Sequence, residues 1–153
     1  MEPSEGFPPV ARPDARILVL GSLPGRKSIA ASEYYAHPQN SFWRIVHELF
    51  GIAGDYNERC TCLNDCKLAL WDVLRASVRR GSLDADIQQD SASANDFSLF
   101  LRAHENIELI GFNGKKAEQL FRAMVPKEHY NIFDWSACHR PVPPMRRCHL
   151  QAS

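Results

Sequence analysis

Three short apolar runs constrain this chain more than anything else in it. They are ILVL (17–20), LALW (68–71) and LIGF (109–112), and each is followed at once by a polar or glycine-containing turn. None alternates apolar with polar residues, so each suits a strand covered on both faces, as in a parallel sheet between helices. The stretches between them carry helical patterns. NSFWRIVHELFG places Phe42, Trp43, Ile45, Val46, Leu49 and Phe50 on one face, with Asn40 or Ser41 as a cap and Gly51 as a stop. Residues 57–66 read as helical, NDFSLFLRAH as a helix capped at Asn95 or Asp96, and NGKKAEQLFRAMV as a helix opened by an Asn-Gly turn. LALWDVL is a strand, or a strand passing into a helix; RRGSLDADI is a loop, and HYNIF fits a last strand. Strands alternating with helices predict an α/β fold, three layers (α/β/α) around a mainly parallel sheet. Ligands of such sheets bind beyond the carboxyl ends of the strands, where all three turns lie.

A length of 153 residues suits one domain, and 44% hydrophobic residues can build a real core. The 18 basic and 18 acidic residues cancel, which excludes a strongly basic nucleic-acid wrapper but leaves room for a local cationic face. No apolar run reaches the length of a membrane span. Residues 1–15 are rich in proline, lack a signal peptide's apolar centre and read as a flexible arm, so a cytoplasmic protein is expected. The domain proper is expected over 16–134, followed by an atypical tail over 135–153. The cysteines are Cys60, Cys62, Cys66, Cys138 and Cys148, an odd number that argues against a disulfide framework. The C-x-C-x3-C spacing of the first three matches neither common zinc nor ferredoxin patterns. It reads as reduced thiols on a helix near the core, with iron–sulfur ligation as the competing reading.

Chemistry-bearing residues collect at the strand tips. Gly21, Ser22, Leu23 and Pro24, in GSLPG, form a tight turn whose backbone N–H groups can meet an anion or a flat ligand; a plain strand-to-helix turn is the alternative. YYAHPQNSFW (34–43) follows. Its tyrosines and Phe42 offer a stacking platform for a planar base, or belong to the core. Asn40 is either a helix cap or a functional amide. Asp72 ends the second run and either faces the crevice or caps a helix. Arg75, Arg79 and Arg80 supply positive charge suited to phosphates, or form a solvated face. Asn113 touches a ligand or shapes its turn.

Taken together, GSLPG and YYAHPQNSFW closely resemble the first motif of the uracil-DNA glycosylase superfamily. The nearest branch is the hypoxanthine-DNA glycosylases, with the mismatch-specific uracil/thymine enzymes as cousins. LALWDVL…RRGSLDADI and LIGFNGKKA also look like that branch, and the resemblance runs from about Arg16 to Val125. The mismatch enzymes carry GINPG with a catalytic Asn where this chain has Ser22; the hypoxanthine branch instead uses the Asn of its HPxN segment, which here is Asn40. The resemblance implies hydrolysis of the base–deoxyribose bond of deaminated bases, hypoxanthine and also uracil, in double-stranded DNA. Such a reaction passes through an oxocarbenium-like state while the departing base gains negative charge. Asn40 would hold a water or donate to the leaving group, and backbone N–H groups near Ser22 and Leu23 would stabilise it. Gly21 and Pro24 would border the base after it leaves the stack. Tyr35 or Phe42 would stack on it, Asp72 or the backbone around Trp71 would read its edge, and His37 would touch the base or a phosphate. Arg79, Arg80 and Asn113 would meet the DNA backbone. The resemblance implies no metal, no cofactor and no lysine Schiff base, hence a monofunctional hydrolase, and a monomer.

The superfamily's second motif resembles LPSTSPAHAA in this branch, and no such string occurs here. The tail DWSACHRPVPPMRRCHLQAS has no periodicity. Reading the codons for ACHRPVPPMRR from the third base of Ala137, however, allows Leu or Met, Pro, Pro or Ser, Thr or Ser, Ser, Pro, Ala, His, Ala, Ala. The family's string lies inside that set. The expectation is a frameshift upstream of Ala137 that replaced the minor-groove loop and its helix. Two competing functions stand beside the enzyme: a catalytically impaired damaged-DNA binding module lacking the second motif, and an α/β module binding free nucleotides.

Overall fold

The computed structural model describes residues 4–77, 87 and 92–126. The segments at 78–86 and 88–91, with Arg79 and Arg80, lie outside the described residues, as do HYNIF and the whole tail over 135–153 with Cys138 and Cys148.

Strands β2 (Ile17–Gly21), β3 (Leu68–Asp72) and β6 (Leu109–Phe112) form a parallel sheet in the order β3-β2-β6. Successive strand side chains point to opposite faces, and here both faces are covered. Leu18, Leu20, Ala69 and Trp71 enter a cluster with Phe97, Phe100, Leu101, Leu120 and Phe121 from α4 (Phe97–Ala103) and α5 (Lys115–Met124). Ile17, Val19, Leu68 and Leu70 pack instead with Phe42, Val46, Cys62 and Leu63, from α2 (Phe42–Phe50) and α3 (Tyr56–Asp65). One strand thus serves two cores, and the three-layer α/β/α arrangement follows.

The helix boundaries have local causes. The Asp55 side chain accepts from the Glu58 N–H at 2.8 Å and starts α3; Asp96 does the same for Leu99 at 3.0 Å and starts α4. Gly51 closes α2 at φ +70°, a backbone conformation that a Cβ disfavours. Two of the six residues assigned to the apolar face of α2 leave it: Ile45 and Leu49 are exposed, because the helix turns only its Phe42–Val46 edge to the sheet. A short helix, α1 (Arg26–Ala31), follows the GSLPG turn in a stretch to which the sequence assigned no element.

LALWDVL resolves into two strands rather than a strand and a helix. After β3, Val73 and Leu74 donate their N–H groups to the Gly21 and Ser22 carbonyls at 2.8 and 3.1 Å, and the chain continues as β4 (Leu74–Ser77). These bonds commit the backbone to an extended path. β4 joins a small antiparallel sheet, β1-β4-β5, with β1 at Ser4–Glu5 and β5 at Ser93–Ala94. This corrects the expectation of a free arm at the N-terminus. Residues 4–15 run along the sheet: Gly6 donates to the Arg75 carbonyl, and Val10 and Leu70 exchange two backbone bonds of 2.9 Å. The physical reason is that β3 and β4 each present an edge of unmet N–H and C=O groups, which the arm satisfies. Among the described residues no helix is long and apolar enough to cross a membrane.

Phe121 is fully buried against Phe97 and Phe112, at ring separations of 5.2 and 5.5 Å. Phe121→Ala should cost about 3–5 kcal/mol in chemical denaturation, whereas Leu49→Ala at the exposed edge of α2 should stay within about 0.5 kcal/mol.

Candidate active site

The carboxyl ends of the three parallel strands converge on one pocket of about 380 Å³. Gly21 stands beside Asp72 in register, and Asn113, one residue past β6, donates its N–H to the Leu20 carbonyl at 2.8 Å. The wall consists of the Gly21–Gly25 turn, the first residues of α1, the loop from Tyr34 to Asn40, Asp72 and Asn113. The structure therefore gathers Gly21, Ser22, Leu23, Pro24, Tyr35, His37, Asn40, Asp72 and Asn113 of the residues singled out from the sequence.

Phe42 and Trp71 are not among the wall residues, and each has a structural reason. Phe42 is buried beneath Tyr35, ring centroids 4.5 Å apart, so it supports the wall rather than forming it. Trp71 points from β3 to the opposite layer, against Phe97 and Phe100 at 5.1 and 4.6 Å. The period of two along a strand sends Asp72 to the pocket side and Trp71 away from it. Missed by the sequence reading were Gly25, Arg26, Lys27, Ser28 and Gln39. For Arg26, Lys27 and Ser28 the signal was the RKS triplet directly after GSLPG, on a six-residue helix too short to show periodicity.

Close packing sets the floor. A Cβ built on Gly21 would lie 2.5 Å from Asp72 Oδ1 and 2.9 Å from the Tyr35 hydroxyl, so only glycine fits between them. Asp72 is 2% exposed, and its backbone carbonyl accepts from Asn95 Nδ2 at 2.7 Å. Burial pushes the Tyr34 phenol well above the ordinary tyrosine range, and the nearby Asp72 carboxylate adds to the effect. The Tyr34 hydroxyl donates to the Pro8 carbonyl at 2.9 Å, so the docked arm braces the back of the pocket.

Asn40 is exposed at the pocket rim. Its Oδ1 accepts the Phe42 N–H at 2.9 Å, and its own N–H closes a turn onto the His37 carbonyl. Of the sequence alternatives, helix cap or functional amide, Asn40 satisfies the first N–H of α2 from one residue ahead of the Ser41 N-cap, and the residue also lines the pocket. The bond to Phe42 orients the carboxamide and leaves its NH₂ group, and a second lone pair on Oδ1, for another partner. Cys62 and Cys66 belong to the core beside β3, and Cys60 lies on α3 with its thiol pushed up by burial.

Comparison with known proteins places this geometry. The model of the uracil DNA glycosylase superfamily matches residues 8–149, and the chain belongs to that superfamily. Membership supports a DNA glycosylase role, that of a hydrolase in DNA repair. The chain is 40% identical over 126 residues to a hypoxanthine DNA glycosylase of Methanosarcina barkeri, covering 78% of each protein. It is 39% identical over 125 residues to a hypoxanthine DNA glycosylase of Methanosarcina acetivorans, with the same coverage. A solution NMR structure from Methanosarcina acetivorans, of a protein described only provisionally as a uracil DNA glycosylase, superposes with a TM-score of 0.68 at 38% identity. It covers 80% of this chain and 78% of that one.

Gly21→Ala should cost about 1–3 kcal/mol in denaturation through overpacking, because the new methyl must displace Asp72 or Tyr35. The tyrosines set an alkaline limit. Burial raises Tyr34, and raises Tyr56 from 10.0 to about 12, so the folded state holds these protons more tightly than the unfolded chain. Their contribution is fully present below pH 10 and is lost as pH rises towards 12 and beyond. Tyrosinate absorbance of the native protein should therefore lag behind that of the denatured chain, and Tyr34→Phe should narrow the gap.

Proposed function

We propose that this pocket receives a deaminated base, hypoxanthine by preference and uracil second, swung out of duplex DNA, and that the protein hydrolyses its N-glycosidic bond. The observation that carries the reading is the Asn40 carboxamide, oriented by the Phe42 N–H at the rim of a pocket whose inner wall holds a buried aspartate. The names of the Methanosarcina relatives support hypoxanthine as the base.

Asn40 is the catalytic residue. A carboxamide is too weak a base to deprotonate water fully, but its oxygen can aim a water at the anomeric carbon as the bond to the base stretches. Charge that develops on the leaving base meets the backbone of the Ser22–Leu23 turn. Tyr35, braced from behind by Phe42, supplies the stacking face. The Asp72 carboxylate accepts from the ring N–H that hypoxanthine and uracil carry between or beside their carbonyl groups, a donor that adenine lacks. His37 and Asn113, which line the pocket, hold the flanking phosphates, and the charges of Arg79 and Arg80 add to the hold on DNA. Water is the only nucleophile, so the enzyme is monofunctional and needs no cofactor. It acts as a monomer in the cytoplasm.

A second reading rests on the tail. Codons permitted for Ala137 to Arg147 include a set that spells LPSTSPAHAA in a shifted frame, which supports an ending altered by frameshift, and with it a protein that binds damaged DNA while releasing base slowly.

The test is base release from duplexes containing deoxyinosine or deoxyuridine, run on this chain and on one with the frame restored upstream of Ala137. The restored protein should release hypoxanthine faster than uracil and faster than this chain. Asn40→Ala in the restored protein should lower the single-turnover rate about 10²–10³-fold with little change in duplex affinity. An undiminished rate would remove Asn40 from the mechanism.

A further inference from the structure

Tyr35 forms the stacking face of the pocket, yet its backbone lies at φ +56°, in the left-handed region. A residue with a Cβ stays there only where its surroundings hold it. The holding groups lie on either side of it. The Tyr34 N–H donates to the Tyr56 hydroxyl at 3.1 Å, the Tyr34 carbonyl accepts from the Trp43 indole N–H at 2.8 Å, and the Ala36 N–H donates to Ser28 Oγ at 3.1 Å. Two of these three bonds come from aromatic side chains, one on α2 and one on α3.

Arg59 lies against both of those rings. Its guanidinium lies 4.4 Å from the Trp43 ring centre and 5.9 Å from that of Tyr56, while the rings themselves meet edge to face at 5.9 Å and 82°. Its Nε is buried with no hydrogen-bond partner among the described residues. The guanidinium lies against the two ring faces in a cation–π arrangement. Arg59 sits one turn above Tyr56 on α3 and does not line the pocket.

We propose that Arg59 is a positioning residue for the base-stacking wall. It locks Trp43 and Tyr56 so that they grip both peptide groups of Tyr34, and this grip holds Tyr35 in its left-handed conformation over Phe42 and against Gly21. Assigning Tyr35 to base stacking rests on the function proposed above; the mechanical coupling does not.

The experiment uses the full chain labelled with nitrogen-15, and compares the parent with Arg59→Ala, Arg59→Lys and Trp43→Phe. In Arg59→Ala, exchange of the Tyr34 amide should quicken about tenfold, the Trp43 indole N–H signal should move, and the 34–36 amides should shift, while β2 and α5 amides keep their parent rates. Arg59→Lys, which keeps a cation over the rings, should recover most of this. Trp43→Phe, which keeps a ring but deletes the donor, should loosen Tyr34 as Arg59→Ala does. Unchanged Tyr34 exchange in Arg59→Ala, or equal loosening of β2 and α5, overturns the proposal. A second arm measures affinity for a deoxyinosine duplex. Arg59→Ala should weaken it about fivefold, with no further loss when added to Tyr35→Ala; additive losses overturn the route through Tyr35. Should the parent neither bind that duplex nor release base, the functional reading fails, and the amide measurements alone still decide the role of Arg59.

Discussion

The close approach of three chain segments at the tip of β2 governs the rest of the pocket. Gly21 lies between the Asp72 carboxylate and the Tyr35 hydroxyl with no space for a side chain. From that contact the geometry propagates outward. The Gly21 and Ser22 carbonyls accept from Val73 and Leu74, which turns the chain out of β3 into the small sheet. The Leu20 carbonyl takes the Asn113 N–H, which brings the start of α5 to the pocket mouth. Backbone groups at a strand end need partners when buried. Here the neighbouring strands supply them, so three turns far apart in sequence share one wall.

The sheet itself is stable for a different reason. Its strands are apolar on both faces, and alternate residues feed two separate cores. Among the described residues the parallel sheet has three strands, and the N-terminal stretch covers the β3 edge through Val10. That stretch also reaches the candidate site, since the Tyr34 hydroxyl donates to Pro8 and the Tyr34 ring meets Phe7 edge to face at 5.2 Å. An element that protects an edge thereby braces the loop on which the proposed chemistry depends. Asn40 shows a similar economy. Its side-chain oxygen accepts the Phe42 N–H at the start of α2, and the residue also lines the cavity.

Much of the site was legible because it is local. GSLPG and YYAHPQNSFW are contiguous strings, and a turn directly after a buried strand falls at the crevice whatever the rest of the chain does. Asp72 and Asn113 followed from the same rule. Only the backbone of Trp71 was expected near the base; that its side chain faces away from the pocket was not legible, because one residue along a strand reverses the direction of the side chain and the register is set by neighbours. Phe42 was misplaced because an aromatic beside a pocket can form the wall or support it, and the choice belongs to Tyr35, whose left-handed backbone lays its ring over Phe42. Arg59 had no signal at all, since its partners sit on α2 and on its own helix and meet only after the layers pack.

What the amino-acid order determined by itself was the periodicity: which segments are doubly buried strands, which are helices, and where the turns between them fall. Those properties depend on residues within a few positions of one another, and they suffice for an α/β sheet with a crevice at its carboxyl end. The tertiary structure alone decided the docking of the N-terminal stretch, the path of the chain after Asp72, the facing of Trp71 and the clamp around Tyr34. Each of these depends on backbone groups or ring faces being matched by partners distant in sequence, and such matches exist only once the strands have taken their register.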